Sequence, residues 1–164
     1  MSARRGKAEN LRFGADGMDG SVDPLALERQ VCFALVVAAR SVVSVYRPLL
    51  EPMGLTHPQY LVMLALWTDA PLSVGAIGSM LQLDSPTLSP LLKRLETAGL
   101  ITRTRSESDE RQVDINLTAR GRVLRKEALK IPPAIVARLG ISIPELESLH
   151  VSLTKFIAAA RTVE

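Results

Sequence analysis

The sequence holds one cysteine, Cys32, and a thiol is a side chain that can be turned into a chemical sensor. A thiolate attacks the outer oxygen of a peroxide, so it needs hydrogen-bond donors or positive charge beside it. Tyr46 is a candidate donor, but it follows Cys32 by 14 residues. At a helical rise of about 1.5 Å per residue that separation is roughly 21 Å. The two cannot meet within one straight helix. They can meet twice where two antiparallel copies cross near Ala39, each Cys32 beside Tyr46 of the partner subunit. That predicts a thiol site built at a dimer interface. The opposing reading is a cysteine packed as a small hydrophobe, a common fate of free thiols, and spacing alone favours it.

A second set of residues suits phosphates and base edges. Ser85, Thr87 and Ser89 are small and polar, Lys93 and Arg94 follow them, and Arg103, Arg105 and Arg111 come next. The stretch 84–111 carries five basic and five acidic residues, so an ordinary solvated surface is the competing explanation. Arg120, Arg122, Arg125, Lys126, Lys130 and Arg138 form the most one-signed region, read as a solvated helix face in preference to a contact with flanking phosphate. Metal chemistry is not indicated: one Cys and two distant histidines, His57 and His150, lack zinc-type spacing. Neither a Gly-rich phosphate loop nor a nucleophile elbow is present. No catalytic residue, cofactor or enzymatic activity is expected.

The totals set bounds. At 164 residues a single domain is favoured, and 47% hydrophobic content allows a core with surface to spare. The net charge of +3 is mildly basic. One Trp, two Tyr and three Phe are too few for single-strand binding by base stacking. A lone cysteine forms no internal disulfide, which fits a reducing, intracellular compartment. No stretch approaches about 18 uninterrupted apolar residues, so no membrane span is expected. The basic N-terminus lacks an apolar segment after it, so no secretory signal is read. A cytoplasmic location follows.

The elements that must position these residues are mostly helical. Residues 1–22 read as a flexible tail and 23–164 as one domain. Asp23-Pro24 opens a helix through Leu50, which puts Cys32 about two turns in, beyond the strong reach of the helix dipole. Leu27, Val31, Leu35, Ala38, Val42, Val45 and Leu49 form its stripe, and Phe33, Val36, Val37 and Val43 spill off it. Such breadth points to a partner subunit. Thr56 caps a second helix, Ser73 a third (Val74 to Leu81), and Asp84 a fourth that ends at Gly99. Pro71-Leu72-Ser73 reads as a break. Residues 101–105 and 112–117 alternate like strands around a polar turn. Thr118 caps a fifth helix to about Leu129, Pro132-Pro133 bends or interrupts it, and Ser142 begins the last.

Two short helices followed by a β-hairpin make a winged helix-turn-helix, within a chain that is mainly α with a small β-hairpin wing. Asp84-Ser-Pro-Thr-Leu-Ser-Pro-Leu-Leu-Lys-Arg-Leu-Glu, with Gly99-Leu-Ile and Asp109-Glu-Arg111, resembles the MarR family of dimeric bacterial repressors. The resemblance implies dimerisation helices at about 24–52 and 118–161 flanking a DNA-binding part at about 56–117. It implies that Asp109 orients Arg111, which enters the minor groove of a palindromic double-stranded operator.

Gln30-Val-Cys-Phe-Ala-Leu35, Tyr46-Arg-Pro-Leu-Leu50, Pro58-Gln-Tyr-Leu61 and Leu66-Trp67 resemble the OhrR-type branch, which senses organic hydroperoxides. The matching cysteine there is oxidised to a sulfenic acid and the repressor leaves DNA. With no second cysteine, this chain resembles the one-cysteine group, in which a small external thiol completes the reaction or oxidation proceeds further. That branch carries two more tyrosines, where this chain has Val36 and His57. His57 either donates to the sulfur or points into solvent. Phe33, Met53, Trp67 and Met80 either shape an apolar approach for the peroxide or are plain core. Two rivals stand: a MarR-like repressor released by a small aromatic ligand, with Cys32 structural, and a thiol peroxidase. The second would need a peroxide-binding constellation that the sequence does not display.

Overall fold

The computed structural model describes residues 25–105 and 112–162. The tail reading for 1–22 and the Asp23-Pro24 helix opening lie outside them. The chain divides into two compact units, Met1–Val42 and Val43–Glu164.

In the first unit a 3-10 turn, Leu27–Arg29, ends at Gln30, whose backbone is extended (φ −79°, ψ 119°). Helix α1 (Val31–Leu50) starts only after it, and the Ala34 N–H donates to the Gln30 carbonyl at 3.1 Å. The expected single helix from Pro24 is therefore corrected. Leu27, Val31 and Leu35 keep helical spacing across the join, so the side-chain pattern does not register the extended residue between them. Cys32 consequently lies in the first turn of α1, not two turns inside a helix. Val31, Phe33, Val36, Val37, Val42 and Val43 are exposed, and Leu50 alone of α1 is buried. By length and composition the 23 residues Val31–Met53 would pass for a membrane span. The expectation of no such stretch holds only in its strict form, because Arg40 interrupts the run.

The second unit follows its caps closely. Helix α2 (His57–Asp69) opens with a capping box, the Thr56 N–H donating to Gln59 Oε1 at 2.8 Å. It buries Tyr60, Val62, Met63 and Leu66. After strand β1 (Leu72–Ser73), helix α3 (Val74–Leu81) is capped by Ser73 Oγ, which accepts from the Ala76 N–H at 3.1 Å. Gln82 then takes a left-handed conformation (φ 55°) and the Leu83 N–H returns to the Gly78 carbonyl at 2.9 Å. This tight turn delivers Asp84 to the start of helix α4 (Ser85–Thr97). Leu88, Leu92 and Leu95, spaced four and three, form its buried face. Gly99 (φ 67°) ends it, and the Leu100 N–H closes on the Leu95 carbonyl at 3.0 Å.

Strands β2 (Ile101–Arg105) and β3 (Val113–Leu117) form the hairpin. The sheet has three strands, all antiparallel, in the order β1-β3-β2. Leu72 pairs with Ile115 and Ser73 with Asp114, so the segment expected as a break is an edge strand. Two residues are too few to show alternation. Ile101, Ile115 and Leu117 join the core made by Met63, Leu66, Ile77 and the α4 leucines.

Helices α5 (Ala119–Ala128), α6 (Ile131–Leu139) and α7 (Ile143–Arg161) complete the chain. Pro132 and Pro133 open α6 rather than bend α5, since a first turn has no use for their missing N–H groups. No residue of α7 is buried, and Leu149, Val151, Phe156 and Ile157 are exposed.

Helix α5 is seated by a glycine. A Cβ on Gly121 would collide with the Leu100 carbonyl oxygen, a backbone atom that cannot step aside. The Gly121 N–H donates to the capping Thr118 Oγ1 at 2.9 Å, and Trp67 Nε1 donates to the Gly121 carbonyl at 2.9 Å. Gly to Ala within a helix ordinarily stabilises by about 1 kcal/mol. Here Gly121→Ala is expected to destabilise by about 1–3 kcal/mol through overpacking. The check is a chemical denaturation midpoint, which should fall.

Candidate nucleic-acid interface and thiol site

The N-terminus of α4 presents the polar residues that the sequence singled out. Asp84 Oδ1 accepts the Thr87 N–H at 3.0 Å. Hydrogen bonds from the Thr87 side chain and backbone hold the Asp84 carboxyl below its usual range, so the cap stays ionised. Ser85, Thr87 and Ser89 are exposed along the first two turns, with Lys93 and Arg94 exposed after them. A helix start lined by small hydroxyls and followed by cations suits entry into a groove edged with phosphate. On the hairpin, Arg103 and Arg105 stand two residues apart and so share a face of β2. Arg103 is engaged: its Nε lies 3.2 Å from Glu96 Oε2 and its Nη2 donates to the Ser89 carbonyl at 3.5 Å. Asp109 and Arg111 lie outside the described residues.

The basic stretch on α5 is partly structural. Arg120 Nη1 donates to the Ala98 carbonyl at 2.8 Å, where α4 ends. Arg122 Nη1 donates to the Leu117 carbonyl at 2.6 Å, where β3 ends. Two of the cations read as a solvated face therefore tie α5 to the recognition helix and to the wing.

Cys32 is an exposed free thiol in its own chain, which removes the reading of a core hydrophobe within the single chain. Among the second-unit candidates the structure brings Tyr46 and His57 together, with ring centroids 5.0 Å apart and nearly edge-on. Tyr60, which the sequence reading did not single out for the site, extends the row. It lies 5.9 Å from Tyr46 and 6.2 Å from Trp67. Its signal was available: His57, Tyr60 and Trp67 share one face of α2, at spacings of three and seven. Burial raises the Tyr46 phenol above its ordinary range, keeping it protonated as a donor. Burial does the same for Tyr60, and Tyr46, were it ionised, would push it further in that direction. Burial lowers His57, so near neutral pH it is an uncharged imidazole and not the imidazolium that would add positive charge.

Of the four residues suggested for a peroxide approach, Met53, Trp67 and Met80 belong to the second unit. Trp67 borders an open cavity of about 350 Å³ with Tyr60, Leu64, Arg125 and Leu129. Met53 packs against the core, while Met80 on α3 is half exposed. Phe33 is an exposed residue of the first unit.

Residues 55–113 match the MarR family. Over 136 residues the chain is 44% identical to the organic hydroperoxide resistance transcriptional regulator of Bacillus subtilis (strain 168), spanning 83% of this chain and 92% of that protein. The chain belongs to the MarR family. A MarR fold also accounts for the hairpin packed on α4 and for the apolar helices at both ends. Reduced AbfR bound to DNA, a structure of a Staphylococcus epidermidis protein, matches with a TM-score of 0.74 at 33% identity. That match spans 84% of this chain and 94% of the other. Overoxidised AbfR bound to DNA matches at 0.69 and 34% identity, spanning 82% and 94%. Within this MarR family the function is DNA-binding transcriptional regulation, not catalysis.

The His57 environment gives this MarR protein an acid-side signature. Its folded-state pKa lies below the ordinary 6.5, so under mildly acidic conditions the unfolded chain binds more protons than the folded one. His57 thus leaves stability undiminished above about 6.5 and erodes it as pH falls below that value. His57→Gln should flatten the decline of melting temperature between neutral and mildly acidic pH. Equal slopes in the two proteins would exclude His57 as its source.

Proposed function

We propose that the chain is a homodimeric cytoplasmic repressor that holds a palindromic operator and releases it when an organic hydroperoxide oxidises Cys32. The observation that carries this reading is the position of Cys32: exposed in its own chain, in the first turn of an apolar helix on which Val31, Phe33, Val36, Val37, Val42 and Val43 also lack cover. The likeness to a regulator named for organic hydroperoxide resistance supports the choice of inducer.

The chemistry balances with the groups named. The Cys32 thiolate attacks the terminal peroxide oxygen, an S–O bond forms and the O–O bond breaks. The sulfur is oxidised by two electrons to a sulfenic acid, and the alkoxide leaves and is protonated to an alcohol. A small external thiol then condenses with the sulfenic acid, forming a mixed disulfide and releasing water. A second copy covers α1 and α7, in keeping with the large exposed apolar surface of the single chain. The helix arithmetic sets Cys32 against Tyr46 of the partner subunit, whose protonated phenol suits a donor role. New atoms on the sulfur then disturb the packing between copies and shift the spacing of the two recognition helices.

Cys32→Ser should bind a palindromic duplex from upstream of its own gene as the natural protein does. A stoichiometric organic hydroperoxide should weaken the natural protein by about 5- to 150-fold, the usual scale of allosteric coupling, and leave the variant unchanged. Overoxidised AbfR has itself been seen bound to DNA. Intact mass read beside gel mobility therefore assigns release to the sulfenic or mixed-disulfide form, as expected. Peroxide-sensitive binding by the serine variant would refute the proposal.

A further inference from the structure

Arg103 stands between the two parts of the DNA-reading face. From β2 its Nε reaches Glu96 Oε2 at 3.2 Å, and its Nη2 donates to the Ser89 carbonyl at 3.5 Å. Ser89 and Glu96 are seven residues, about two turns, apart on α4. The guanidinium therefore lies along one side of the recognition helix and bridges it to the wing strand. Its charge is already answered by a carboxylate, while those of Lys93 and Arg94 on the same helix stand exposed.

The ion pair is built to be exchanged. It is a single contact, not a two-pronged fork, and its side chains are 31% and 43% exposed. Exposed pairs of this kind are weak. A phosphate oxygen, being anionic, can take the place of the Glu96 carboxylate beside the guanidinium. Replacement succeeds only when DNA sits close enough to offer that oxygen in the right direction, which a well-fitted site does and a loosely held one does not.

We propose that Glu96 is a specificity-determining residue, a latch that withholds Arg103 from the phosphate backbone until a fitted operator displaces the carboxylate. The inference rests on the assignment of this face to DNA, and it is independent of the redox reading. Glu96 thereby lowers affinity for arbitrary sequence more than affinity for the operator.

The test is Glu96→Gln, which keeps the shape and removes the charge at an exposed site where folding is not at stake. Binding to a short duplex of scrambled sequence is measured over a range of salt concentrations beside the palindromic duplex. The variant should bind the scrambled duplex severalfold more tightly at low salt. Its plot of log affinity against log salt should be steeper by about 0.9 for each Arg103 freed. Operator affinity should change less, so the ratio of the two falls. In an Arg103→Ala background the same Glu96→Gln change should no longer steepen the slope. An unchanged slope in the single variant would overturn the latch. So would an equal increase in the Arg103→Ala background, which would mean that the Glu96 charge repels DNA directly. If the natural protein bound neither duplex, the DNA-reading assignment would fall first and the latch with it.

Discussion

Gly121 lets α5 come so close to Leu100 that no side chain fits between them, and three parts of the fold are fixed by that approach. Leu100 is the residue at which α4 has just ended and β2 is about to begin. Thr118, three residues before Gly121, caps α5 and sets its hydroxyl 2.7 Å from the Gly99 carbonyl oxygen. Trp67 reaches over from α2 to the Gly121 carbonyl. The recognition helix, the root of the wing and the helix leading to the C-terminal elements therefore share one small joint. Arg120 and Arg122 extend it by holding the ends of α4 and β3. These contacts tie α5 directly to the ends of α4 and β3, so a shift of α5 would also shift the face proposed to read DNA.

The electrostatics of that face are arranged by local pairing more than by net charge. Asp84 spends its charge on the start of α4, and Glu96 holds Arg103. Summed over the stretch, acids and bases cancel, but Asp84 and Glu96 are each held in a specific pairing. Outward, among the described residues, stand a helix start with hydroxyls and the exposed cations Lys93, Arg94 and Arg105. The aromatic row along α2 has a different character: a half-buried phenol (Tyr46) and a buried one (Tyr60) that keep their protons, and an imidazole that stays neutral. Such groups donate hydrogen bonds without bringing net charge into an apolar setting.

Much of this was legible in the residues because caps are local. Thr56, Ser73, Asp84, Thr118 and Ser142 each announce a helix within three or four positions, and the structure places helix starts at all five. The hairpin strands were legible through alternation. Features depending on partners distant in sequence, or on a few residues, were not. Strand β1 exists only because β3 passes beside it. The Arg103–Glu96 pair, the Arg120 and Arg122 ties and the Tyr46–His57 contact join separate elements, and no spacing rule announces them. The start of α1 was misplaced because an apolar stripe persists through the 3-10 turn. For the thiol site, residue type and helix arithmetic named Cys32, Tyr46 and His57, while Tyr60 needed the face of α2 to be drawn out. Arg111 is legible as the cation of the hairpin turn and Asp109 through family resemblance; both lie outside the described residues.

The place of Cys32 at the very beginning of α1 has one more consequence. A helix end frays at small cost, so an isolated chain could absorb an extra oxygen or a bulky adduct there by peeling back one turn, and nothing further would move. Leverage appears only when another surface presses on that turn and forbids the unwinding. Responsiveness to oxidant would then belong to the assembled pair and not to the thiol as such, and dilution would blunt the alarm as surely as loss of the sulfur.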